Sequence, residues 1–230
     1  MTIKTYLTNE EISAMIAATP FHRDKALLAF YADTGCRVSE AVALKVEHID
    51  FVNSQVLIPH LKVGIRKKCS KCGFNAGRNQ KYCAKCGTDL SGIQAEGIQE
   101  RNRLITIGDY GLRLLTELVE GREPEDKVFN ISRQWAYYVV RAAAEKIGLV
   151  GKCILNPETN QKHHVHPHNF RDSLAVSWLE VAGSNSNKQK ALQEHLGHQS
   201  FGTTMRYNKL TPAAVKKVGD EVRRARFGEA

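Results

Sequence analysis

LQEHLGHQSFGTTMRYNKL, residues 192–210, holds a histidine, His198, nine residues ahead of a tyrosine, Tyr207. Gly197 follows an apolar helical run and reads as a helix stop, so one helix is expected over 187–197 and another over 202–210. Just upstream, PHNFRDSLAVSWLEVAG (167–183) is a third helical pattern carrying His168 and Arg171. Far upstream, TGCRVSE (34–40) sets Arg37 two residues after a helix-ending Gly. Each fragment alone is ordinary. An Arg near a helix start is usually solvated or salt-bridged, a lone His on a helix is usually structural, and a late Tyr usually packs. The information lies in their joint order.

The 230 residues suit one globular domain, or one domain with a small insert, and 42% hydrophobic content supports a packed core. No apolar run approaches the ~18 residues of a membrane span. The N-terminus, MTIKTYLTNEE, lacks the apolar stretch of a secretory signal. A soluble, cytoplasmic chain with no membrane partner is expected. Thirty-three Lys and Arg against 24 Asp and Glu give a net charge of +9, which favours an anionic partner such as nucleic acid. Residues 61–103 hold ten of the basic residues and only three acids, so seven of the nine net charges lie there.

That basic stretch surrounds CSKCGFNAGRNQKYCAKCG (69–87), two Cys-x-x-Cys knuckles ten residues apart. In a non-secreted chain, disulfides are disfavoured. Cys69, Cys72, Cys83 and Cys86 match a tetrahedral thiolate zinc site. Four protein sulfurs fill the coordination sphere and leave no open position for a catalytic water, so the zinc is structural. Cys36 and Cys153 read as small buried hydrophobes.

The remaining pattern is mainly helical. Thr8 and Glu11 have capping-box spacing ahead of ISAMIAATP, 23–35 is a strongly apolar helix ended by Gly35, and 38–46 is a third helix. Helices follow over 109–121 and 132–148, then an irregular polar segment over 151–166. A last helix, 211–227, opens on Thr211-Pro212. SQVLIPH (54–60) and RNRLITI (101–107) read as two arms of one β-hairpin whose turn is replaced by the cysteine insert.

DTGCRVSEAVAL, PHNFRDSLA and LQEHLGHQSFGTTMRYNKL resemble, in order and separation, the first-arginine, His-x-x-Arg and Leu-Gly-His-to-nucleophile boxes of the tyrosine recombinase (phage integrase) family. The resemblance covers nearly the whole chain. It implies an α+β, mainly helical catalytic domain with a small antiparallel sheet over residues 1–230. The zinc ribbon, 66–92, would be inserted in that domain, and the family's N-terminal core-binding domain would be absent. It further implies six catalytic positions: Arg37, a hairpin lysine, His168, Arg171, His198 and Tyr207. Lys62 ends the first hairpin arm at the family-like distance from Arg37, with Lys67 and Lys68 as alternatives, because the insert displaces the short family turn. Lys67, Lys68 and Arg103 are candidate DNA contacts.

The chemistry can be argued separately. Tyr207 would attack a phosphodiester to give a 3′-phosphotyrosine and a free 5′-hydroxyl, which conserves bond energy and needs neither ATP nor a catalytic metal. A phenol of pKa about 10 needs a proton acceptor, for which His168 is the candidate. Arg37 and Arg171 would grip the phosphate, His198 would add a hydrogen bond, and Glu40 would orient Arg37. The partners expected are double-stranded DNA and further copies of the chain, a free monomer assembling to a tetramer in the synapse. The basic end of the last helix is expected either to pack on a neighbouring protomer or to fold back. The rival readings are a DNA-binding regulator that has kept the fold without cutting, a type IB topoisomerase, and a metal-dependent nuclease, which would need clustered carboxylates. A second metal at the His163-His164-Val165-His166 tract is not expected, since a basic loop facing DNA explains it as well.

Overall fold

The computed structural model describes residues 4–59, 66–95, 102–156, 158–183, 185–198 and 200–207. Lys62 and the expected helix over 211–227 lie outside the described residues. The chain divides into two compact units, one of residues 1–58 with 103–230 and one of residues 59–102.

In the larger unit, helix α1 (Asn9–Ala18) begins at the expected capping box. Thr8 Oγ1 accepts from the Glu11 N–H at 3.3 Å, and Glu11 Oε2 accepts from the Thr8 N–H at 2.9 Å. Helix α2 (His22–Thr34) is apolar on every face through its middle, 26–32, because it is the central helix of the core: it packs against α1 and, further along the chain, α4 (Asp109–Val119), α5 (Arg133–Lys146) and α6 (Pro167–Ala182). Leu27, Leu28, Phe30 and Tyr31 are all fully buried. Helix α3 (Val38–Ala43) is shorter than the periodicity suggests, the chain turning into a 3₁₀ segment at Val46–His48. Helices α7 (Ser186–Leu196) and α8 (Phe201–Met205) are the last helices among the described residues.

The sheet is antiparallel, with β1 (Ile49–Asp50) beside β2 (Gln55–Ile58) and β2 beside β5 (Arg103–Thr106). The β2–β5 register pairs Val56 with Ile105 and Ile58 with Arg103 on the buried face, and Leu57 with Leu104 on the open face. These are the two hairpin arms read from the sequence. The segment over 151–166, expected to be irregular, instead contains a second hairpin, β6 (Ile154–Asn156) against β7 (Gln161–His163), with Ile154 opposite His163. Of these six residues only Ile154 is fully buried, so no apolar alternation marks the strands.

The smaller unit carries β3 (Arg66–Lys68) paired with β4 (Asn75–Gly77). Among its described residues the buried cluster is Cys69, Ala76, Cys83 and Leu90. Two knuckles have the same local bonding: the Gly73 N–H reaches the Cys69 carbonyl, and the Gly87 N–H reaches that of Cys83. Cys36 is buried as expected, while Cys153 is only half-buried.

Candidate active site

Five of the singled-out residues line one cavity of about 280 Å³ in the larger unit: Arg37, His168, Arg171, His198 and Tyr207. Arg37 is the N-cap of α3, His168 and Arg171 lie in the first turns of α6, His198 follows α7, and Tyr207 follows α8. Four separate helix ends thus deliver five polar side chains to one place.

Arg171 is 1% exposed, a costly position for a cation unless its donors are satisfied. Its Nη1 donates to the Gly35 carbonyl at 2.7 Å and its Nη2 to the Leu196 carbonyl. These two carbonyls lie at the C-terminal ends of α2 and α7, where the helix dipoles are negative. The tight approach explains Gly197. It takes φ +66°, and a Cβ there would stand 2.6 Å from the Arg103 side chain.

Glu40, 2% exposed, holds the first arginine. Its Oε1 accepts from Arg37 Nη1 at 2.8 Å, and its Oε2 accepts both the Arg37 N–H and Arg103 Nη2 at 2.8 Å. Burial works against the carboxylate, but Arg103 and Arg37 together hold it below the usual range. This corrects the expectation for Arg103, which was placed among the DNA contacts. Its side chain is buried on the inner face of β5, ion-paired to Glu40 and bonded to the Leu196 carbonyl, so it is a strut of the site and not a surface cation.

His168 and His198 are held in their neutral form near pH 7. Burial, with Arg171, His166 and Arg37 adding repulsion, holds His168 down to about 4, although about half of its side-chain surface is open. His198 is held to about 4 by burial and the same arginines, and its Nδ1 lies 2.9 Å from Thr204 Oγ1. Its ring stacks on Tyr207, centroids 5.8 Å apart. Tyr207 is 8% exposed in a small apolar cluster with Ala175, Leu179, Leu192 and Leu196. Burial pushes its phenol up, while Arg171, which hydrogen-bonds to it, and Arg37 pull it back. Among the pocket residues that the sequence did not single out is Asp172, adjacent to Arg171 and pushed up to about 7 by burial. Nothing in its spacing distinguishes it from a solvated helix acid.

The rings of His163 and His166 stack at 4.6 Å, and His166 lies 6.5 Å from His168.

In the smaller unit, the sulfurs of Cys69, Cys72, Cys83 and Cys86 all lie within 4.8 Å of one another, with Cys69 to Cys86 at 3.6 Å and Cys72 to Cys83 at 3.5 Å. Four sulfurs at about 2.3 Å from a common centre stand roughly 3.8 Å apart in a tetrahedron, so the donor set fits a thiolate metal site. Lys68 is exposed, and Lys67 donates from Nζ to the Leu90 carbonyl at 3.0 Å within the same unit.

A chain with this fold and these five side chains around one cavity belongs to the phage integrase family, whose model matches residues 5–74 and 83–214. The gap in the match falls between the two knuckles. Among curated relatives, the tyrosine recombinase XerD of Bifidobacterium longum is 28% identical over 220 residues, covering 92% of this chain and 60% of the relative. The chain thus spans about 60% of that relative's length. Among solved structures, the XerA recombinase shares the fold with a TM-score of 0.63 at 19% identity, over 97% of this chain and 66% of that one. The XerH site-specific recombinase bound to palindromic difH substrate matches at a TM-score of 0.54 and 18% identity, over 95% and 53%. No helix among the described residues is long and apolar enough to cross a membrane.

Proposed function

We propose that this chain is the cleaving and rejoining domain of a site-specific DNA recombinase acting through a 3′-phosphotyrosine. The observation that supports this most is the meeting of Tyr207, Arg37, Arg171, His168 and His198 in one cavity. Tyr207 attacks the scissile phosphate. Arg37, braced by Glu40, and Arg171, braced by two helix ends, neutralise charge on the non-bridging oxygens without reorganising. His198 adds a hydrogen bond to the same phosphate, and His168 takes the phenolic proton in the first instance. Lys62 protonates the departing 5′ oxygen. Lys67 is the weaker candidate, since its ammonium is engaged by the Leu90 carbonyl. The four cysteines hold a structural zinc, which supports the ribbon's fold and takes no part in phosphoryl transfer. Lys68 and the other ribbon cations contact the DNA backbone. Exchange between two duplexes requires four cleavages, and so four chains in the synapse, on DNA in the cytoplasm.

The test uses a supercoiled plasmid with two copies of the sequence that the chain enriches from random DNA. Recombinant circles are expected. Relaxation without recombinants would support a topoisomerase-like activity, and binding without strand breakage would support a regulator.

A further inference from the structure

Asp172 is the one carboxyl group among the described pocket residues that sits on the same helix face as His168. The two are four residues apart on α6, with His168 Nε2 3.6 Å from Asp172 Oδ1. The carboxyl is not loose. Asn169 Nδ2 donates to its Oδ2 at 3.4 Å, and only 16% of the side chain is open. From other elements the same cavity brings Arg37, His198 and Tyr207, and also Arg206, Glu158 and His163, with Arg206 and Glu158 3.8 Å apart.

We propose that Asp172 is the final acceptor of the Tyr207 proton, reached through His168. The inference rests on Tyr207 being the nucleophile. In the forward step the Tyr207 Oη–H bond breaks as the Oη–P bond forms, and the proton passes by way of the His168 ring to the Asp172 carboxylate. The P–O5′ bond breaks, and the 5′ oxygen takes its proton from the lysine acid. On rejoining, the carboxyl returns the proton to the departing tyrosinate.

The physical reason is where the positive charge would otherwise rest. An imidazolium at His168 faces Arg171 and Arg37, both of which disfavour it. Asp172 is disfavoured as an anion by burial, and its charge opposes ionisation of Tyr207. Moving the proton onto the carboxylate removes both penalties together. Before the reaction the ionised Asp172 offsets part of the cationic charge around the phosphate.

The experiment is single-turnover cleavage of a nicked duplex bearing the selected sequence, followed from pH 5.5 to 9 with wild type, Asp172→Asn and Asp172→Glu. Asn keeps the shape and the acceptor for Asn169 but cannot take the proton. The wild-type rate is expected to rise with pH through an inflection at or above about 7. Asp172→Asn should cleave roughly 100-fold or more slowly, the scale of a lost general base, and should lack that inflection. Asp172→Glu should restore the inflection. The helix signal of Asp172→Asn should match wild type and its DNA binding should be no weaker, since a negative charge beside the phosphate is lost, which separates a lost proton acceptor from a damaged fold. If Asp172→Asn does not fold, the wild-type and Asp172→Glu profiles decide alone, and a flat profile in both overturns the inference. An unchanged rate and inflection in Asp172→Asn also overturn it, and if Tyr207→Phe still abolishes the adduct, the recombinase reading survives. No adduct from wild type would overturn both.

Discussion

Arg103 and Glu40, 63 positions apart in sequence, form a buried ion pair, with Nη2 2.8 Å from Oε2 and the two side chains 7% and 2% exposed. Through Glu40 the pair also holds Arg37, so the second hairpin arm supports the first arginine of the pocket. Removing one partner leaves a buried, undercompensated charge, which typically costs about 3–5 kcal/mol. Arg103→Met is expected to lower stability by that order in urea unfolding, while the salt dependence of DNA binding keeps its slope. An unchanged stability with a slope reduced by about one phosphate contact would return Arg103 to the DNA surface.

One zinc ion per chain is expected by elemental analysis. Among the described residues the buried cluster of the ribbon is four residues, two of them cysteines, too little to fold without a metal. Cys83→Ser should lose the zinc and weaken DNA binding yet keep the far-ultraviolet helix signal, because the described helices all lie in the other unit. Loss of that signal would mean that the core depends on the ribbon.

Stability should fall with acid. His166 and His195 are held to about 4, chiefly by burial, and His168 and His198 are lowered likewise. Between their ordinary value of about 6.5 and 4, the unfolded chain binds more protons than the native one, so stability is full above about 6.5 and is lost as the pH drops. Asp172 has the opposite sign. Its folded value, raised to about 7, makes its contribution decline as the pH climbs from about 4 to 7. Four histidines outweigh one aspartate, and the urea midpoint should decrease steadily from pH 7 to 5. A midpoint that is flat or rises over that range would contradict the neutral, buried histidines.

For the leaving-group acid, Lys62→Ala should slow cleavage strongly on ordinary DNA and be rescued when the 5′ bridging oxygen is replaced by sulfur, since a thiolate departs without a proton. Rescue of Lys67→Ala or Lys68→Ala, with Lys62→Ala left inactive, would move the role to one of them.

The parts of the site carried by local signals were legible in the sequence. Gly35 and Gly197 mark the ends of α2 and α7, and the residues just beyond them, Arg37 and His198, face the cavity because the chain must turn there. The two hairpin arms were legible because each is an apolar run rich in strand formers. Arg103 was misread because charge suggests exposure, whereas strand alternation sends it inward beside Ile105, toward a carboxylate 63 residues away that no local pattern could supply. The β6–β7 hairpin went unseen because it buries only Ile154 fully, and a half-solvated strand shows no periodicity. Asp172 was passed over for a similar reason: its burial comes from the packing around α6, not from its neighbours in sequence.

The central claim is that Tyr207 is the atom donor in a covalent link to DNA. The direct measurement traps the complex on a nicked duplex of the selected sequence whose short 5′-hydroxyl fragment diffuses away, digests it, and identifies the nucleotide-bearing peptide by mass spectrometry. The modified residue is expected to be Tyr207, formed without added divalent metal, and Tyr207→Phe, which keeps the ring against His198, should bind the duplex and yield no adduct. An adduct on any other residue, or one formed by Tyr207→Phe, would contradict the account.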